Sequence, residues 1–159
     1  MNGSAESVTK ALEDLGVSFE TIHIDPTFSD TASFCATYGF PLEHTCNTIL
    51  VASRKEPRKF AACVVLANTR LDVNRRVKNL LGVPKVSFAT TEQTLEITGM
   101  ELGGVTPIGL PNQLPIYVDQ RVVAREWVII GGGARNIKIK LSPQVLTTVG
   151  AKIISDLAL

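Results

Sequence analysis

No apolar run in the 159-residue chain approaches the ~20 residues needed to cross a bilayer. Cysteine is scarce: Cys35, Cys46 and Cys63 are an odd number and form no CxxC pair. That argues against a disulfide framework or a zinc site and leaves reduced, buried thiols. Only two histidines occur, His23 and His44, and neither an HExxH motif nor a clustered carboxylate pair accompanies them. No metal site is therefore expected. The nucleophile elbow GxSxG, the phosphate loop GxxxxGK[ST] and a GxGxxG opening a helix after a strand are all missing. Charged residues make up only 19% against 45% apolar ones, which excludes a disordered chain and provides for a real core. The opening residues MNGSAESVTKALEDLG carry acids and no long apolar segment, so a secretory signal is not expected and the expected compartment is the cytoplasm.

What charge there is lies unevenly. Residues 1–45 carry a net −6, residues 46–90 a net +7, and the remainder balances. The basic middle third contains Arg54, Lys55, Arg58, Lys59, Arg70, Arg75, Arg76, Lys78 and Lys85. Such a segment suits a polyanion-facing surface, although the fold can also interleave it with acids.

Periodicity lays out the elements. Val8, Ala11, Leu12 and Leu15 recur at helical spacing over about 4–15, closed by Gly16. SFETIHI alternates as a strand before the break at Asp25-Pro26. A helix over about 29–38 opens at Ser29 or Asp30 and ends at Gly39. NTILVAS and FAACVVLA read as strands joined by a hairpin loop RKEPRK. Asp72 caps an expected helix over about 73–81, KVSFA is a short strand, and Thr90 with Gln93 has capping-box spacing for a helix over 91–98. PIYVD, REWVIIG, NIKIKL and AKIIS read as further strands, with Ser142-Pro143 opening a helix to about 149. At least six strands with interspersed helices predict one α/β domain of α+β character over residues 1–159, with a mixed central sheet surrounded by helices.

Two features lack a core explanation. The stretch TGMELGGVTPIGLPNQLP holds four glycines and three prolines, and Gly131-Gly132-Gly133 falls between two strands. Glycine lets backbone approach a ligand and aim its N–H groups at it. His44 and Cys46 sit two apart and would share a strand face, but a buried structural cysteine is the better reading.

The run TGMELGGVTPIGL resembles the glycine-x-x-x-proline loop of the YbaK family, free-standing relatives of the editing domain inserted in bacterial prolyl-tRNA synthetase. PTFSDTASFCATYGF, NTILVAS, AACVVLANTRLDVN, GVPKVSFAT, PIYVDQ and IIGGGARNIKIKLSP resemble further family segments in the same order, over about residues 18–150. The resemblance implies a YbaK-like fold and a trans-acting deacylase that hydrolyses the ester of a tRNA mischarged with a small amino acid. It implies no metal or organic cofactor. The implied partners are the aminoacyl end of tRNA and an aminoacyl-tRNA synthetase, with no membrane. Substrate contacts would come from Ser29, Thr48, Gly103, Gly104, Val105, Thr106, Pro107, Gly131 and Gly132, with backbone amides near 103–106 and 131–133 holding the ester carbonyl. The family's lysine at the start of the second strand is here Asn47, and Ala32 stands about where a helix glutamate is usual. Asn47 inherits the catalytic position, with a donor and an acceptor but no charge. Arg70, which follows the next strand, is a candidate replacement for the missing cation, and Arg54, Lys55, Arg70, Arg75 and Arg76 form an expected tRNA-binding rim beside Gly103–Pro107. A second reading keeps the pocket but not the chemistry: a non-catalytic module binding an aminoacyl end or a nucleotide.

Overall fold

The computed structural model describes residues 5–159; the expected helix start at residue 4 lies outside them. Helix α1 (Ala5–Asp14) buries Val8 and Leu12, the two strongest members of the helical stripe. Strand β1 (Phe19–His23) follows, then a 3-10 turn (Pro26–Phe28). Helix α2 (Thr31–Tyr38) is capped by Asp30, which accepts from the Ser33 amide, and is stopped by Gly39 in the left-handed region at φ 77°. Strands β2 (Cys46–Ser53) and β3 (Phe60–Leu66) form the expected antiparallel hairpin, with Cys46 opposite Leu66 and Ala52 opposite Phe60.

The segment after β3 differs from its sequence reading. Asp72 does cap it, accepting from the Arg75 amide, but the first turn (Val73–Val77) is π-helical and only α3 (Lys78–Leu81) is α-helical. Strand β4 (Val86–Phe88) leads to α4 (Thr91–Thr98), whose capping box between Thr90 and Gln93 forms in both directions. Strand β5 (Ile116–Asp119) ends in a short helix α5 (Gln120–Val123) that the periodicity does not announce. Asp119 nucleates it by accepting from the Arg121 amide, so β6 (Val128–Gly131) starts three residues later than REWVIIG suggests. β7 (Ile137–Leu141), α6 (Gln144–Thr148) and β8 (Lys152–Ile154) complete the chain. Ser142 accepts from the Gln144 amide, and α6 begins one residue beyond Pro143.

The strands divide between two sheets rather than one. A mixed five-stranded sheet runs β4-β2-β3-β5-β8, and an antiparallel three-stranded sheet runs β1-β7-β6. The larger sheet is apolar on both faces. One face carries Leu50, Ala62, Val64 and Val118 into a core shared with α1, Met100 and the inner side of the small sheet. The other carries Val51, Cys63, Val65 and Tyr117 against Val73, Val77 and Leu157. Such two-sided burial explains why β2 and β3 read as continuous apolar runs without alternation.

One consequence of the strand order positions the site. β4 pairs only with residues 51–53 of β2, so on that side the start of the strand is left to β6, which the bridge between Thr45 and Ile129 brings alongside. The small sheet and the loop between α4 and β5 lie against that end of β2.

Candidate functional site

A cavity of about 210 Å³ opens at the start of β2, lined by Ser29, Asp30, Thr31, Cys46, Asn47, Thr48, Leu102, Gly103, Val105, Gly131 and Lys138. It draws on the 29–31 segment entering α2, the start of β2, the glycine-rich loop, the end of β6 and the middle of β7. Neighbouring strand residues point to opposite faces. Asn47 and Thr48 nevertheless both reach the cavity, which lies along the stretch of β2 between its bridge to β6 at Thr45 and its ladder to β4 from Val51.

The Thr31 hydroxyl donates to the Asn47 side-chain oxygen, which ties α2 to β2 across the cavity. The carboxamide thereby commits its acceptor and keeps its N–H donors for other partners. The Thr48 hydroxyl is buried and has no hydrogen-bond partner among the described residues.

The glycines divide by task. Gly103 adopts φ 90°, and a Cβ there would meet the Ser29 hydroxyl at 2.5 Å, so Gly103 and Ser29 share one tight corner of the cavity. A Cβ on Gly104 would lie 2.8 Å from the Ala134 backbone, and one on Gly132 would lie 2.7 Å from Ile137. Those two glycines seat the loop against the small sheet and do not line the cavity. The Gly133 amide donates to the Gly104 carbonyl at 2.8 Å and the Gly104 amide to the Glu101 carbonyl at 3.0 Å. Two of the amides expected to hold an ester are therefore engaged, one joining the two loops and the other closing a turn within the first. Thr106 is fully buried without a partner for its hydroxyl, and Pro107 lines a separate cavity bounded by the 107–116 loop and Lys152.

Cys46 lines the cavity wall, yet its thiol belongs to the core and burial pushes its pKa up to about 12. That removes the thiolate a nucleophile needs. His44 does not engage it: its ring stacks on Trp127 at 4.1 Å, and Nδ1 lies 2.9 Å from the Trp127 carbonyl oxygen.

The cations are placed otherwise than expected. None of Arg54, Lys55, Arg70, Arg75 and Arg76 lines this cavity. Arg70 borders a surface hollow with Ala67, Asn68, Thr69 and Leu159. Arg75 pairs with Asp72 at 3.3 Å, and Arg76 donates to the Ser155 carbonyl at 3.2 Å. Arg54 sits beyond the opposite end of β2, in a cleft of about 360 Å³ with Asn74, Lys78 and Lys85. For Arg54 and Lys55 the reason is strand direction: the basic hairpin loop follows the end of β2, whereas the cavity is at its start.

The cavity's own cation is Lys138. It is 6% exposed and donates to the Ser29 carbonyl at 2.7 Å and the Gly103 carbonyl at 3.4 Å, with its ammonium 5.5 Å from the Phe34 ring centre. Burial lowers its pKa from the ordinary 10.5, while Cys35 and Asp30 work in the opposite direction. In the sequence it is one of two lysines in an alternating strand, NIKIKL, and alternation alone assigns both to a solvated face. Arg135 was equally silent: it donates to the Ser29 hydroxyl at 3.3 Å and the Pro26 carbonyl at 3.2 Å, bracing the same corner from outside. The available signal was that Lys138 follows the triple glycine by a few residues and stands opposite Gly131, where no side chain blocks its path.

Among the described residues no helix is long and apolar enough to cross a membrane, and no group of three His, Cys, Asp or Glu is placed to hold a metal ion.

Comparison with known proteins bears on the same segments. The family described as "Aminoacyl-tRNA editing domain" matches residues 25–149. The "Uncharacterized protein YwhH" of Bacillus subtilis is 30% identical over 111 residues, 70% of this chain and 68% of that protein. The "Putative Cys-tRNA(Pro)/Cys-tRNA(Cys) deacylase EbsC" of Enterococcus faecalis is 28% identical over 86 residues, so the match spans 54% of this chain and about half of that relative. A crystal structure of "a putative trans-editing enzyme for prolyl tRNA synthetase" superposes with a TM-score of 0.81 at 24% identity, covering 98% of this chain and 97% of that one, and so shares its fold.

Proposed function

This chain belongs to the aminoacyl-tRNA editing domain family, and from that premise we propose that it acts in trans as a deacylase, hydrolysing the ester of a tRNA mischarged with a small amino acid. The observation that carries the reading is the cavity at the start of β2. It is polar, it is built from the segments matched to the family, and at about 210 Å³ it falls below the ~300–1,000 Å³ of sites for larger ligands. The rigid corner of Gly103 and Ser29 limits the length of side chain that can enter.

In the reaction, a water oxygen bonds to the ester carbonyl carbon and the carbonyl oxygen takes up negative charge. The C–O bond to the ribose then breaks, releasing the amino acid and returning a proton to the ribose hydroxyl. Asp30, the one acid in the cavity wall, suits the substrate's α-ammonium. Asn47 and Thr48 offer hydrogen bonds with which to orient the ester or the water. Selection against one extra methylene is worth only ~1–3 kcal/mol, so discrimination would rest on the fixed corner rather than on fine contact.

A deacylation panel tests the reading: purified protein is offered tRNAs charged separately with each amino acid, and release is followed. Turnover confined to one or a few small amino acids is the expected result. The loss of a charged side chain at position 47 favours one alternative, a module that binds the aminoacyl end without cleaving it. Retained binding of a charged tRNA with no turnover on any member of the panel would decide for that alternative.

A further inference from the structure

We propose that Lys138 is the catalytic cation of this site, bringing to the ester from the β7 wall the positive charge that Asn47 cannot supply from β2. The inference rests on the deacylase reading and adds a residue that carries its chemistry.

Three observations support it. Lys138 is buried without a carboxylate within ion-pair distance among the described residues, its contacts being two carbonyls and an aromatic face. Burying an ammonium without a counter-ion is costly, and structure alone gives no return for it. Next, an ammonium has three N–H donors and the two carbonyls take two, which leaves one for a ligand in the cavity that Lys138 lines. Finally, Lys140 shows the ordinary outcome for a lysine two residues further along the same strand: its ammonium lies 3.9 Å from Glu20 and 4.5 Å from the Trp127 ring centre. The two lysines share a face of β7, and only the one opposite Gly131 turns into the cavity.

The Ser29 and Gly103 carbonyls fix the ammonium relative to the loop that bounds the aminoacyl group. A prepositioned charge stabilises the oxyanion as water adds to the carbonyl, and the carbonyl re-forms as the ribose oxygen leaves. Lys138 transfers no proton in this scheme and ends each turnover as it began. Two of the neighbouring amides, those of Gly104 and Gly133, are committed to the loops. Asp30 and Cys35 of α2 face Lys138 and favour its charge. Arg135 donates to the hydroxyl of the same Ser29.

The test uses the whole protein and the charged tRNA that it hydrolyses best in the panel, under single-turnover conditions. Lys138→Met should lower the maximal rate ~10²–10³-fold while changing the half-saturating tRNA concentration little, and Asn47→Lys placed on Lys138→Met should recover at least tenfold by restoring a cation from the other wall. A folded Lys138→Met protein that keeps its maximal rate within threefold, or that loses only affinity, would overturn the assignment. So would a double variant that folds and recovers nothing. Should Lys138→Met fail to fold, the wild-type pH profile decides. After subtraction of spontaneous hydrolysis, the rate should turn down at alkaline pH below 10.5; a rate rising without a break through that value counts against a protonated amine. Wild-type protein inactive on every charged tRNA refutes the deacylase reading itself, whereas an active wild type with an equally active Lys138→Met refutes only the role of Lys138.

Discussion

At Lys138 the sign of the pKa shift gives a stability test that needs no substrate. Burial holds its folded-state pKa below the ordinary 10.5. Between the two values the unfolded chain binds more protons than the folded one, so stability attributable to this residue rises with pH across that window. The cost of burying the charge is fully present below the folded pKa and is gone once pH exceeds 10.5. Measured by urea unfolding, wild type should gain on Lys138→Met as pH climbs toward that limit. Pairing the two proteins cancels the opposite trend from Cys46 and Cys63, whose thiols are pushed up to about 12 and so lose stability as the unfolded thiols ionise. A flat difference would mean that the ammonium is not held out of water. Glycine gives a second test at this scale. A Cβ on Gly104 would meet the Ala134 backbone and one on Gly131 the Val105 carbonyl, neither of which can step aside. Gly104→Ala should cost roughly 1–3 kcal/mol in unfolding free energy and loosen the site, whereas Gly150→Ala, with open space around it, meets only the strain of φ 87°.

Elements show how far sequence patterns reach. The capping box of α4 was legible because it is a local exchange of two side chains with two amides, and it formed where Thr90 and Gln93 placed it. Thr90→Ala should cost ~1 kcal/mol, read from the urea midpoint. The β2–β3 hairpin was legible because apolar runs and a polar turn suffice to define it. Helix α5 was not, since what makes it is Asp119. Burial raises that carboxylate's pKa, but the side chain and amide of Arg121 and the amide of Ala158 outweigh burial and hold it below its usual value. This is a partnership across the fold with the chain's end: Asp119 accepts from Ala158 at 2.9 Å, and Arg121 donates to the Ala158 carbonyl. Asp119→Ala leaves the Ala158 amide unmet, at ~1–3 kcal/mol. The stabilisation from the native carboxylate is present above about pH 3.8, the ordinary value, and should fade as pH falls through the lower folded pKa. The candidate site divides the same way. Asn47, Gly103, Val105 and Gly131 were found by segment and come together in one cavity, whereas Lys138 and Arg135 were missed because only the crossing of β7 beneath the loop gives them meaning.

Across the whole molecule, charge and cavity are set apart. Arg54, Lys78 and Lys85 line one cleft with Asn74 and no acid, and seven residues of extended strand, roughly 23 Å, separate Arg54 from Asn47. If tRNA docks with its stem along this side, the cleft meets phosphates remote from the ester. Replacing Lys78 and Lys85 with alanine should flatten the slope of log affinity against log salt by up to about two units. Hydrolysis of an aminoacyl-adenosine fragment, which has no stem, should hardly change. An unaltered slope would assign the cleft to something other than nucleic acid. The cavity itself joins segments from residues 29–31, 46–48, 102–105 and 131–138. A chain emerging from the ribosome exposes Lys138 about 90 residues after Asn47, a delay on the order of 5–20 s at ordinary elongation rates. Because the site is divided between distant parts of the chain, the cavity cannot assemble during synthesis until Lys138 has emerged.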